Sequence, residues 1–125
     1  MIKRKSNLYL EAQYKEQGEH CYYCKDKTPF DYITRDHFAP ISGGNTLVDN
    51  KIFACRICNT MKGNKSIDEF KASVTRKCID ILRIVVDNNW MISEDQVNRF
   101  KKYVVILNTL AEIQKNDYKP TIMFT

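Results

Sequence analysis

Apolar residues recur at helical spacing in the second half of the chain, in two stretches that each follow a capping box. Ser66 and Glu69 form the first box, and Ser93 and Gln96 form the second. After the first box, apolar positions three or four residues apart are Phe70, Val74, Cys78, Ile81, Leu82 and Val85. After the second box they are Val97, Phe100, Val104, Leu107, Leu110 and Ala111. The pattern predicts two long helices, each with one packing face, and the first ends at residues 87–89.

The first half of the chain carries shorter patterns. Residues 7–17 predict a helix with apolar residues at Leu8, Tyr9 and Ala12, and Gly18 suits its C-terminal cap. Residues 31–38 and 51–54 are rich in β-branched and aromatic types, which predicts two short strands joined through a loop at 40–45. Residues 56–62 predict a short helix that ends near Gly63, and an extended tail follows residue 118. The expected fold class is α+β.

Composition and charge restrict the class of protein only loosely. Apolar residues make up 43% and charged residues 28% of the 125 positions, which is ordinary for a folded soluble domain. Twenty Lys and Arg against fifteen Asp and Glu give a net charge of +5, which permits a polyanionic partner without requiring one. We see no apolar run of membrane-spanning length and no signal-type stretch, so we expect a cytoplasmic protein without a membrane partner.

Two cysteine pairs predict a metal site. The pairs are Cys21 with Cys24 and Cys55 with Cys58. Paired Cys-x2-Cys knuckles are the sequence form of a structural zinc site, and in the cytoplasm they favour metal ligation over disulfides. Four thiolates leave no open position, so this zinc is expected to be structural and not catalytic. The alternative is four buried cysteines without a metal. His20 is adjacent and could compete as a ligand, although a solvated histidine is the simpler interpretation.

A second candidate site lies between the two cysteine pairs. Asp36 and His37 are neighbours on the first predicted strand, so their side chains point to opposite faces unless the strand bends or ends there. Histidine has an unperturbed pKa of about 6.5 and suits the removal of a proton from water, while a carboxylate suits a hard divalent cation. The pair alone is weak evidence, because a single histidine on a half-buried strand is more often structural. Its position inside the zinc bracket makes it a candidate.

The full spacing resembles a known family. It runs through Asp36-His37, Pro40, Gly43-Gly44, Asn50, Cys55-x2-Cys58-Asn59 and Lys62-Gly63. This run resembles the HNH endonucleases of the ββα-metal (His-Me finger) class, in the subgroup whose core is held by a four-cysteine zinc. The resemblance covers about residues 20–70. The length of the chain indicates a single domain over residues 1–125, in which the resemblance implies an HNH core at 20–70 and leaves a helical extension at 71–125.

The resemblance also implies roles for individual residues. His37 would be the general base and Asp36 a ligand of the catalytic divalent ion. Asn50 matches the middle letter of the motif, where it ties the ββ hairpin and orients the histidine. Asn59 stands at the third letter, where many members carry histidine, so the chain is an HNN variant. An asparagine oxygen favours Mg²⁺ or Mn²⁺ over Zn²⁺ or Ni²⁺ as the catalytic ion.

DNA is the implied substrate, and four cations are candidates for contact with its phosphates. They are Arg35, Arg56, Lys62 and Lys65. For the two lysines a solvated helix face is the equally weighted alternative, whereas the Arg56 guanidinium suits bidentate phosphate contact. Tyr22, Tyr23 and Phe30 could stack on bases, but packing around the knuckle is the simpler role for them. The alternative for the whole chain is a non-catalytic zinc module that binds nucleic acid. The pattern leaves the oligomeric state open, including a homodimer.

Overall fold

A computed structural model describes residues 8–37 and 51–118, and for Asp36, His37 and Lys51 it describes the backbone alone. The predicted loop at 40–45, Asn50 and the tail after residue 118 lie outside the described residues. The elements, in chain order, are α1 (Leu8–Gln17), β1 (Ile33–His37), β2 (Lys51–Cys55), α2 (Arg56–Lys62), α3 (Ile67–Asp87) and α4 (Glu94–Lys115). A short 3₁₀ turn, Phe30–Tyr32, precedes β1. The predicted α+β class is confirmed.

The two strands form an antiparallel pair that continues directly into α2. Ile33 lies opposite Cys55, Thr34 opposite Ala54, and Asp36 opposite Ile52. The first strand begins two residues later than predicted, because the chain takes the 3₁₀ turn immediately after Pro29. Cys55 ends β2 and caps α2, since its Sγ accepts a hydrogen bond from the Cys58 amide. The last residue of the sheet and the first turn of the helix therefore share one cysteine pair.

Helices α3 and α4 pack against each other and against the two cysteine knuckles. Both predicted capping boxes form, at Ser66 and Ser93. The buried residues that α3, α4 and the knuckle region contribute to one cluster include Tyr23, Phe70 and Leu110. On α4 the buried positions are Ile106, Thr109, Leu110 and Ile113, and Val104 and Ala111 are exposed. The predicted packing face of α4 was thus only partly right, because α3 and the knuckle cover its C-terminal half.

Leu82 also departs from the predicted packing face of α3. It is exposed, whereas the other five predicted positions on that helix are buried. Helical geometry gives the reason. At about 100° per residue, Leu82 lies about 100° around the axis from buried Ile81 and about 60° from buried Val85. Its side chain therefore lies outside the contact with α4. The exposed position of Leu82 becomes important below.

The buried face of α1 is polar and aromatic. The helix forms as predicted and Gly18 follows it with a φ of +97°, a conformation that glycine adopts readily. Leu8, Tyr9 and Ala12 are exposed, however, so the apolar residues named for this helix do not pack. Instead Tyr14 packs on Phe53 of β2, with ring centroids 5.3 Å apart. Across residues 8–37 and 51–118, none of the helices combines the length and apolar character needed to cross a membrane.

Candidate metal centre and nuclease site

The four paired cysteines converge on one buried point. Their sulfur atoms all lie within 4.8 Å of one another, and all four side chains are buried. The Sγ atoms of Cys24 and Cys55 are 3.8 Å apart. A Zn–S bond of about 2.3 Å gives a tetrahedron whose edge is about 3.8 Å, so this spacing fits a zinc ion held by four thiolates. The same distance is far longer than a disulfide bond of about 2.05 Å, and all four cysteines are free.

The pKa values of these thiols show why the cluster suits a cation. Hydrogen bonding from Cys24 lowers the pKa of Cys21 to about 7, and hydrogen bonding from Cys21 lowers that of Cys55. The same contacts raise the pKa values of Cys24 and Cys58. Four neighbouring thiols cannot all ionise without a compensating charge. A zinc ion held by the four cysteines would supply that charge and keep all four sulfurs as thiolates.

Three hydrogen bonds shape the first knuckle and hold it against β2 and α4. The Cys21 amide donates to the carbonyl of Asp26 at 2.9 Å, and the Tyr22 amide donates to the carbonyl of Phe53 at 2.9 Å. Thr109 of α4 donates its hydroxyl to the Tyr23 carbonyl at 2.9 Å. The first bond closes the turn, the second fixes it to β2, and the third fixes it to α4. The two cysteine pairs meet because the knuckle is attached on both sides.

Two lysines accompany the thiol cluster. Lys25 donates its ammonium to the Tyr22 carbonyl at 2.6 Å and lies 4.6 Å from the centre of the Tyr22 ring. Lys102 of α4 pairs with Asp26 at 3.3 Å. Burial lowers the pKa of Lys102, but the negative charges of Cys24 and Cys55 and the bond to Asp26 outweigh it, so the pKa is raised. Both cations offset part of the negative charge that four thiolates bring.

Asn59 faces the strand pair from the second turn of α2. Its Nδ2 donates to the Thr34 hydroxyl at 3.1 Å, and that hydroxyl donates to the Ala54 carbonyl at 2.7 Å. This chain of bonds fixes the side chain of Asn59 over β1. Because the side-chain nitrogen of Asn59 makes this bond, its side-chain oxygen, Oδ1, is the atom that remains for a cation. The helix ends one turn later, where the Gly63 main-chain amide donates to the main-chain carbonyl of Asn59 at 2.9 Å and Gly63 has a φ of +52°.

The other three residues of the predicted catalytic set are described only in part. Asp36 and His37 are the last two residues of β1, opposite Ile52 and Lys51, and their side chains lie outside the described part of the molecule. Asn50 lies outside the described residues altogether. The structure therefore brings Asn59 next to the strand that ends in Asp36-His37. The roles of all four residues stay predictions.

The candidate DNA-contacting cations have different environments. Arg56 is exposed on α2. Arg35 is half-buried opposite Phe53 in β1, and half-buried Lys65 donates its ammonium to the Met61 carbonyl at 3.1 Å. Lys62 is only 1% exposed, which neither interpretation of this residue as a surface lysine foresaw. Contact with phosphates stays a prediction for all four.

The aromatic and histidine alternatives can be compared with the structure directly. Tyr22 and Tyr23 are buried, and the Tyr23 ring meets Phe70 of α3 edge-on with centroids 5.4 Å apart. Packing around the knuckle is thus confirmed for these two rings. The metal-competent group found among the described residues comprises the four cysteines without His20. Cys78 is buried on α3, as expected of a small hydrophobic residue.

Sequence reasoning missed one residue that supports the site, Gln17. Its side-chain amide donates to the Phe53 carbonyl at 2.7 Å and accepts from the Phe53 amide at 3.0 Å. The same nitrogen, Nε2, also donates to the His20 carbonyl at 2.7 Å. Gln17 thereby continues the hydrogen bonding of β2 and attaches α1 to the start of the knuckle. Nothing in the local sequence distinguishes this glutamine from a surface residue.

Comparison with known proteins agrees with this geometry. The model of a protein family described as HNH endonuclease matches residues 21–75, a little under half of the chain. No curated protein and no solved structure matches the chain. The matched segment begins at the first cysteine of the cluster, includes β1, β2 and α2, and ends within α3. Residues 21–75 therefore carry the pattern of the HNH endonuclease family, with four cysteines positioned to form a zinc site.

Proposed function

We propose that this protein is a metal-dependent endonuclease that hydrolyses phosphodiester bonds in DNA. The observation that carries the proposal is the position of Asn59, which is hydrogen-bonded to β1 beside Asp36-His37 within the segment that matches the HNH endonuclease family. A nuclease of this kind needs a base for water and oxygen ligands for a hard cation. The chain has both types of residue at the end of one strand and on the facing helix.

Asp36 and Asn59 are the proposed ligands of a catalytic divalent ion. Successive residues of a strand alternate between its faces, so position 36 shares a face with Thr34, the residue that Asn59 contacts. A carboxylate and an amide oxygen are hard ligands, which favours Mg²⁺ or Mn²⁺. Such an ion would stabilise negative charge on the phosphate and the leaving oxygen.

His37 is the proposed general base. It is the last residue of β1, and because the strand ends there its ring can turn toward the face of position 36 instead of alternating to the opposite one. Its imidazole would accept a proton from the attacking water, whose oxygen then forms a bond to phosphorus as the bond to the leaving oxygen breaks. Asn50 would hold the ring in the orientation that presents its free nitrogen to that water. The structural zinc takes no part in these steps, because four thiolates leave it no open position. Its role is to hold β2, α2 and the first knuckle together.

DNA is the proposed substrate, on the evidence of the family match and the net charge of +5. Arg56 is the strongest candidate for a phosphate contact, because it is exposed on the same helix as Asn59. Lys62 is the weakest, since burial keeps its side chain from a ligand at the surface. Arg35 and Lys65, both half-buried, are intermediate candidates.

The test is cleavage of supercoiled plasmid with Mg²⁺, Mn²⁺ or EDTA. We expect nicked or linear product only with a divalent ion, and loss of product in His37→Ala. His20→Ala is the matched control, because it removes the other histidine of the chain without touching the proposed site. All proteins should first be shown to carry one zinc. Cleavage that survives in His37→Ala would exclude this residue as the base.

Asn59 can be tested separately from the base. We expect Asn59→Ala to reduce the rate and to raise the Mg²⁺ concentration needed for half-maximal cleavage, whereas Asn59→Asp keeps an oxygen ligand and retains more activity. A uniform loss of rate without a shift in the metal requirement would argue against ligation. Salt-sensitive DNA binding by zinc-loaded wild type without any cleavage would instead support the non-catalytic zinc module.

A further inference from the structure

Helix α3 carries a second apolar stripe that no described element covers. Its members, on the exposed side of the helix, are Ala72, Thr75, Ile79, Leu82 and Val86. They follow one another at intervals of three and four residues, which is the spacing of a helix–helix seam. The buried stripe of the same helix, which includes Val74 and Ile81, lies on a different side. A helix that is apolar on two sides is typical of one that packs on two sides.

The exposed apolar area of this stripe, together with the residues just beyond the helix, is large for a small protein. Ile79 is 42%, Leu82 47% and Val86 51% exposed, and just beyond the helix Trp90 is 72% and Met91 75% exposed. At roughly 200 Å² for each large side chain, the three stripe residues expose on the order of 280 Å², and Trp90 and Met91 add about 300 Å² beyond the end of the helix. A partner that covers both groups buries on the order of 600 Å² of apolar surface, which with the flanking side chains approaches the roughly 800 Å² that each partner buries in a stable interface.

The charges beside the stripe indicate what kind of partner it fits. A groove of about 650 Å³ runs along this side of α3, and its charged lining residues are Asp68, Lys71, Arg76, Asp80 and Arg83. Asp68 and Lys71 are hydrogen-bonded to Gln114 of α4, which leaves the exposed Arg76, Asp80 and Arg83 for a partner. Both signs are interspersed there, so the surface lacks the uniform positive field that a nucleic acid requires. A second helix of similar composition meets both its apolar and its mixed-charge requirements.

We propose that this face of α3 is the interface of a homodimer, in which the same face of a second copy of the chain is the partner. Two α3–α4 hairpins then pack as a four-helix bundle across a two-fold axis, and every contact occurs twice. The bundle buries α3 on both of its apolar sides. If the proposed nuclease function holds, the dimer also brings two active sites to one DNA, which permits cleavage of both strands.

The test is sedimentation velocity of the zinc-loaded full chain over a concentration series, without DNA or catalytic metal. We expect a reversible monomer–dimer equilibrium, and we expect Ile79→Glu to weaken the dimer by about tenfold or more. Ile84→Glu is the matched control. Ile84 lies on the same helix with a similar exposure of 44%, but five residues on, and so about 140° around the axis. The control should dimerise like wild type.

Three outcomes would overturn the proposal. One is a wild type that stays monomeric at about 100 μM. Another is equal weakening by Ile79→Glu and Ile84→Glu. The third is a lower melting temperature for Ile79→Glu than for Ile84→Glu at a dilution where wild type and both variants are monomeric, which would assign the face to a segment of the same chain, such as residues 119–125. Leu82→Glu repeats the test if Ile79→Glu does not fold. None of these outcomes depends on cleavage, so the proposed function is tested separately.

Discussion

Cys55→Ser separates metal ligation from helix capping at a single atom. The Sγ of Cys55 faces the three other cysteine sulfurs and also accepts the amide of Cys58 as the cap of α2. A serine hydroxyl is a good helix cap, so the substitution keeps the second role. It removes the soft thiolate that zinc prefers. The loss of stability in this variant therefore measures ligation.

The magnitude follows from the number of ligands. Structural zinc contributes about 10–16 kcal/mol in small four-ligand sites, or roughly 2.5–4 kcal/mol per ligand. For a chain of this size 1 kcal/mol shifts the melting temperature by about 3–5 °C, so we expect a fall of about 8–20 °C. If the four cysteines were only buried small side chains, exchanging one sulfur for a capped hydroxyl would cost about 1 kcal/mol, or a few degrees.

Thermal unfolding followed by circular dichroism, with and without a chelator, provides the assay, together with the zinc content of each protein. Wild type should carry one zinc and lose stability in the chelator, whereas Cys55→Ser should respond little because its zinc is already weakly held. Cys78→Ser is the control, since Cys78 is also buried but lies outside the cluster. The reasoning is refuted if Cys55→Ser retains full zinc and melts within a few degrees of wild type.

Three further predictions concern the packing and caps around the site. Phe70→Ala should lower the free energy of unfolding by about 3–5 kcal/mol in denaturant titrations, because it empties a fully buried ring site against Tyr23, and a loss below about 1 kcal/mol would contradict this contact. Burial raises the pKa of Tyr14 from 10.0 to about 12, so its contribution to stability is complete below pH 10 and is lost as the pH rises from 10 through 12. Tyr14→Phe should remove that alkaline loss of stability. At neutral pH it should lower the free energy of unfolding by about 1 kcal/mol, because the hydrogen bond to the Thr28 carbonyl is lost. An unchanged alkaline profile would argue against Tyr14 as the titrating group. Ser66→Ala should cost about 1 kcal/mol through loss of the α3 cap, whereas Ser66→Asp should keep most of it.

Local patterns predicted the elements well where the determinants lie close together in the chain. Both capping boxes, the helix ends near Gly18 and Gly63, and the cysteine pairs could be read within a few residues. The resemblance to HNH endonucleases used the same kind of information, because the motif is defined by spacing. The family model then matched residues 21–75. The family match was thus predictable from spacing, whereas the individual motif residues and their roles in catalysis stay predictions.

Packing partners were less predictable, because they depend on which element covers which face. Leu8 and Tyr9 were apolar positions of the predicted first helix, but they are exposed, and the sheet meets α1 through Tyr14 and through the hydrogen bonds of Gln17. Lys62 was expected at the surface and is buried. In each case the local sequence pattern is the same for a buried helix face and an exposed one. Only the arrangement of the neighbouring elements decides which face is buried.

The sequence alone determined that this chain has two Cys-x2-Cys knuckles, a ββα motif and two capped helices, because each of these depends on residue type at short spacing. Only the tertiary structure decided that the four sulfurs meet within 4.8 Å and that Asn59 bonds to Thr34. It also decided that no element within residues 8–37 and 51–118 covers Leu82 and the other exposed apolar residues of its stripe on α3. These features arise from contacts between residues far apart in the chain. Such contacts form only when whole helices and strands pack together, so a local pattern does not specify them.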